Sequence, residues 1–180
     1  MSTECIVHQL LLDGKGGGVE VDKPEQLVMN DQHILWSHIE YGRPGAFQWL
    51  EEQGLTELEA ESLTRIDTRP RIRSFNKGML ILLRAINLNP GADQEDMVSI
   101  RIWITKGRII TARQRRVASI QDMVSDLKQH NGPKTEGEFL TTLIELIMDY
   151  ICNAVDEIEE DISKYEDTQD NNDKSVQHEL

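Results

Sequence analysis

The sequence predicts an α+β domain on a mixed, largely antiparallel sheet, followed by a long acidic helix. Three observations carry that prediction. Residues 98–105 alternate strictly, with Val98, Ile100, Ile102 and Ile104 set against Ser99, Arg101, Trp103 and Thr105, which is the period of a pleated strand. Further on, Leu140, Ile144, Ile147, Ile151, Ala154, Ile158, Ile162 and Tyr165 recur about every 3.5 residues, the period of a helix with one narrow apolar seam that needs partner helices. The charge divides at the same point. Met1–Thr135 holds 18 acidic and 17 basic residues, whereas Glu136–Leu180 holds 14 and 2. We therefore place the domain at 1–133, the acidic amphipathic helix at 134–167, and a turn or frayed tail at 168–180.

The elements follow in order. The apolar run Cys5–Leu12 stops at Asp13-Gly14-Lys15-Gly16-Gly17-Gly18 and resumes at Val19-Glu20-Val21, a strand, a flexible turn and a returning strand. His33–Ile39 reads as a third strand, with Ile34, Trp36 and His38 on one face. Pro44 opens a helix that Gly54 closes, and Thr56 with Glu59 forms the capping box of a second. Asn76-Lys77-Gly78 joins Arg71–Phe75 to Met79–Leu88, a turn expected from the tolerance of Asn and Gly for positive φ. Lys106-Gly107 turns the alternating strand into Arg108–Arg113. From Ser119, a candidate cap, Ile120, Met123, Val124 and Leu127 make a helical stripe that Gly132-Pro133 ends, and Thr135-x-x-Glu138 is a second capping box.

Composition excludes several classes. With 180 residues and a net charge of −13, the chain is no globally basic nucleic-acid binder. Its longest uncharged apolar stretch, Met79–Leu83, falls far short of the roughly 20 residues of a membrane helix. Met1–Gln9 lacks the basic start and apolar run of a signal peptide. Cys5 and Cys152 stand far apart, as suits a reducing compartment.

Four groups of residues invite a chemical reading. The glycine run lacks the Gly-Lys-Ser/Thr that opens the helix of a phosphate loop, so a hairpin turn is the better account. Cys5 and His8, and His33 and His38, are at odd spacings that put each pair on opposite faces of a strand, against a closed zinc site. Glu145, Asp149, Asp156 and Glu160 stand at i, i+4 and i, i+7 relations, the arrangement of oxygen donors that hard cations use, although exposed helices carry such charges as a solvated face too. Arg65, Arg69, Arg71 and Arg73 lead into one strand, and Arg113, Arg115 and Arg116 close another; were those strands neighbours, they would make an anion-holding patch. Salt bridges to the acidic helix explain the same arginines. No nucleophile, acid–base pair or metalloprotease motif stands out, and the sequence does not predict an enzyme.

The stretch Thr64–Met123 is specific. It contains Arg-Ala-Ile-Asn-Leu-Asn-Pro-Gly-Ala, then Asp-Met-Val-Ser-Ile-Arg-Ile-Trp-Ile, then Arg-Ile-Ile-Thr-Ala-Arg. It resembles the cytoplasmic domain of ZntB-like zinc transporters, within the CorA family of divalent-cation transporters, and the Gly14–Gly18 turn and the Trp36 strand extend the likeness. The resemblance implies an α/β/α layered cytoplasmic domain forming part of a funnel, on the cytoplasmic side of a bacterial inner membrane. It implies a homopentamer anchored by two C-terminal membrane helices with a Gly-Met-Asn signature, Zn²⁺ or another divalent cation as the transported ion, and no nucleic-acid partner. Neither those helices nor that signature occurs in these residues, so the resemblance implies a domain or natural fragment that cannot transport alone. In this reading Glu145, Asp149, Asp156 and Glu160 face cations, and Arg113, Arg115 and Arg116 hold a bound anion. The alternative is a freestanding oligomerisation or anion-binding module of the same fold.

Overall fold

A computed structural model describes the backbone of residues 4–66, 69–93 and 96–177, and side chains as far as Tyr165. Seven strands form one sheet: β1 (Ile6–Leu12), β2 (Gly18–Glu20), β3 (Ile34–Glu40), β4 (Arg71–Ser74), β5 (Met79–Ala85), β6 (Val98–Thr105) and β7 (Arg108–Arg113), in the order β2-β1-β3-β7-β6-β5-β4. Every described neighbour pair is antiparallel except β3 with β7, where the chain returns to the sheet centre in parallel, Trp36 opposite Ile109 and Glu40 opposite Arg113. Helices α1 (Ala46–Glu52) and α2 (Glu57–Thr64) cover one face; α3 (Ala118–Lys128) and α4 (Glu136–Gln177) cover the other. The result is the three-layer α/β/α arrangement.

Alternation along the strands sorts two cores. Val98, Ile100, Ile102 and Ile109 join Leu10, Leu12, Trp36 and the α3/α4 side chains. Trp103, Ile110 and Ala112 join Trp49, Leu50, Ala60 and Leu63 on the α1/α2 side. Both faces of β6 are therefore dry, as expected where helices flank a sheet on both sides.

Local signals act as read in some places and differently in others. Thr56 accepts the amide of Glu59, and the Glu59 carboxylate accepts that of Thr56 at 2.7 Å, a complete capping box. At α4 the box is half made: Thr135 accepts from Glu138, but the Glu138 carboxylate takes the amide of Lys134 instead. Ser119 does not cap α3; the cap position is Val117, and the Ser119 hydroxyl lies buried without a partner. The 76–78 turn does not use positive φ. Gly78 is needed because a Cβ there would stand 2.7 Å from the Ile104 carbonyl oxygen. The Asp13 carboxylate holds the glycine turn by accepting the amides of Lys15 (2.7 Å) and Gly17 (2.9 Å), and Gly132 donates to the Gly16 carbonyl. Those amides are thus committed to a hairpin.

The long helix differs most from expectation. α4 spans 42 residues and continues to Gln177, where the sequence reading has a turn or frayed tail from 168. Its buried contacts come from Phe139, Leu143, Ile147 and Ala154, whereas Ile144 from the expected seam is exposed. Phe139 meets Trp36 edge-on, with ring centroids 4.9 Å apart.

Candidate ion-facing surfaces

Four of the carboxylates of α4, the predicted cation-facing ones, share one side of the helix. At about 100° per residue, Glu145, Asp149, Asp156 and Glu160 fall within an arc of about 60°, and at about 1.5 Å per residue they extend over about 22 Å. All four are exposed. Glu160 has Lys164 at 3.8 Å, and the same ammonium lies 3.2 Å from Asp161. Among the described residues no three His, Cys, Asp or Glu side chains converge to hold a metal ion. The carboxylates form a stripe that can attract cations without enclosing one.

The arginines do not form the single patch that neighbouring strands would have given. β4, with Arg71 and Arg73, is at the sheet edge, separated from β7 by β5 and β6. Arg113 is mostly buried, 3.9 Å from the Glu40 carboxylate, and burial pulls its pKa down against the opposing pull of Glu40. Arg116 folds along the first turn of α3 and donates to the Gln121 side chain at 2.9 Å. Arg115 and Arg84 line an open pocket of about 290 Å³ with Asp96, Ser99 and Gln114. Of the three predicted anion residues, two remain in solvent and they point to different surroundings.

Two buried polar groups stand on the central strands. Arg101, fully buried on β6, lies 4.4 Å over the Tyr41 ring and donates to the Ser99 hydroxyl and the Arg65 carbonyl. Its place in an alternating strand marked it as facing away from the isoleucines, but nothing in the strand itself says that this face is covered. His38 sits opposite His8 across β1 and β3, ring centroids 6.1 Å apart. Thr111 bonds the Trp36 indole and His38 Nδ1, each at 2.8 Å. Burial drives the His38 pKa well below the usual imidazole range, and the charges of Arg113 and His8 add to this. His8 is lowered by burial too, with Glu20 opposing.

The model of the family described as "CorA-like Mg2+ transporter protein" matches residues 31–180, and the chain belongs to that family. It is 35% identical over 162 residues to the zinc transport protein ZntB of Pectobacterium carotovorum subsp. carotovorum (strain PC1), covering 89% of this chain and 49% of that protein. It is 34% identical to the divalent cation transporter CmaX of Pseudomonas aeruginosa (strain PAO1), covering 86% and 50%. The chain thus spans about half the length of the curated relatives it matches. The structure of full-length CmaX superposes with a TM-score of 0.86 at 32% identity, over 92% of this chain and 52% of that one. The crystal structure of the ZntB cytoplasmic domain from Vibrio parahaemolyticus gives 0.78 at 25%, over 89% and 65%. Among the described residues no helix is long and apolar enough to cross a membrane.

Proposed function

We propose that this chain is the cytoplasmic, ion-facing domain of a homopentameric Zn²⁺ transporter of the inner membrane, with the pore contributed by sequence outside these residues. The observation that carries the reading is the alignment of 89% of the chain with one half of a zinc transport protein, at 35% identity. The stripe from Glu145 to Glu160 is the part of the domain suited to the task. Exposed carboxylates act over about 8 Å at physiological salt, so four along one side create a continuous lane of raised cation concentration rather than a site that would trap the ion. Arg115 and Arg116, exposed in different surroundings, offer separate counter-anion contacts.

The test has two stages. Past the Leu180 codon, the gene should encode two apolar runs of about 20 residues; a stop codon there sinks the transporter reading and leaves a freestanding module. The encoded protein, reconstituted in vesicles, should take up Zn²⁺. Replacing Glu145, Asp149, Asp156 and Glu160 by their amides should slow uptake at low ionic strength and change it little at high salt. Equal rates at both ionic strengths would remove the stripe from the mechanism.

A further inference from the structure

The glycine turn between β1 and β2 gathers side chains that the ion-facing surfaces do not use. Asp13 follows the end of β1, and its Oδ1 accepts the amides of both Lys15 and Gly17. Those bonds orient the carboxylate and leave Oδ2 for another partner. His130, in the loop between α3 and α4, lies beside it. A Cβ built on Gly17 would stand 2.4 Å from His130 Nδ1 and 2.6 Å from Asp13 Oδ2, so any side chain at 17 would push both groups aside. His33 is the third member. Leu12 pairs with Ile34, which sets Asp13 and His33 opposite each other at the next step. Asp13, His33 and His130 line one open pocket of about 190 Å³. His33 Nδ1 accepts the Asn30 amide at 3.4 Å, which leaves Nε2 to bind a ligand.

The backbone supports the grouping. His130 follows the C-cap of α3 with φ of +61°, a left-handed position where glycine is the usual residue. A strained imidazole held against a carboxylate points to a use for that side chain. Gly132 donates to the Gly16 carbonyl at 2.8 Å, so the loop is fixed against the turn. One carboxylate and two imidazoles suit borderline divalent ions, whereas Mg²⁺ and Ca²⁺ prefer shells of oxygen alone. We propose that Asp13, His33 and His130 bind a Zn²⁺-class cation, with water completing the shell, and that the ion ties the β1–β2 turn to the loop leading into α4. Asp13 and His130 already adjoin, and His33 closes on the ion when it arrives. The site is separate from the α4 stripe and stands or falls without the transport reading.

Calorimetric titration of Zn²⁺ into the whole chain, with the exposed Cys152 thiol removed as Cys152→Ser, tests it alongside proton–nitrogen spectra of the histidine rings. One Zn²⁺ should bind per chain, shifting the ring nitrogens of His33 and His130 and leaving those of the buried His38 in place. Asp13→Asn keeps an oxygen for the Lys15 and Gly17 amides, and His130→Gly suits the left-handed backbone. Each should weaken Zn²⁺ binding at least about tenfold without lowering the Tm of the metal-free protein. Replacing Glu145, Asp149, Asp156 and Glu160 by their amides should leave this affinity unchanged. Wild-type affinity in both Asp13→Asn and His130→Gly overturns the proposal, as do ring shifts confined to other histidines or displacement of the Zn²⁺ by an equal concentration of Mg²⁺.

Discussion

Phe139→Ala is the sharpest test of how α4 is held to the sheet. The ring is fully buried, edge-on to Trp36, which is itself fully buried. Removing a buried phenyl costs about 3–5 kcal/mol in transfer and cavity free energy, and the lost aromatic pair belongs to the upper part of that range. The ring belongs to a buried cluster with Trp36, Ile109, Met123 and Leu127, all themselves fully buried, so collapse into the space is limited. With a urea dependence of about 2 kcal/mol per molar, the unfolding midpoint should fall by about 1.5–2.5 M. Tm should drop by roughly 10 °C, given about 2–4 °C per kcal/mol for a chain of this size. Hydrogen exchange should accelerate over the first turns of α4 and over α3. As the control, Ile158→Ala on the exposed seam should change stability by less than about 0.5 kcal/mol. A loss below about 1 kcal/mol for Phe139→Ala, or equal losses for the two variants, would mean that α4 is not anchored where the structure puts it.

His38 and His8 both have depressed pKa values in the folded protein, so the unfolded chain binds more protons below its ordinary imidazole pKa of about 6.5. Stability from this source is complete above that pH and falls as pH drops below it; His38→Gln should flatten the pH 5–7 dependence of the urea midpoint, and an unchanged slope would refute the coupling. Arg101→Ala leaves the buried Ser99 hydroxyl and the partly buried Arg65 carbonyl without their donor and should cost about 3 kcal/mol, with Arg101→Lys recovering little because one ammonium cannot reproduce the guanidinium geometry over Tyr41. Thr56→Ala should cost about 1 kcal/mol by breaking the capping box, whereas Ser119→Ala, which removes a buried hydroxyl without a partner, should be neutral or stabilising; thermal melts of the two variants in parallel will show whether the order is reversed.

What could be read in the sequence shares a physical character: it is local. The alternation of 98–105, the Thr56–Glu59 box and the Lys106-Gly107 turn depend on neighbours within a few residues, and the structure has each of them. The features that the sequence leaves open depend on residues far apart in the chain. Arg71 and Arg113 look like one patch only until strand order places β5 and β6 between them. His8 and His38 become neighbours through the register of β1 on β3, and no spacing rule reports that. The acidic stripe was legible because it lies on a single helix. The division of labour among its apolar residues was not, since one repeat near 3.5 residues merged a seam that faces the sheet with a seam that faces solvent.

By itself, then, the sequence determined the periodic elements, the charge asymmetry and the family, because those reside in residue order and in short-range hydrogen bonding. Only the tertiary structure decided which face of each element is dry, that Arg101 and His38 are buried polar groups in covered layers, and that Ile144, Met148, Val155, Ile158 and Ile162 of α4 are exposed. Burial is a property of what lies across a contact, and the parallel return of β7 beside β3 brings together residues more than 70 positions apart.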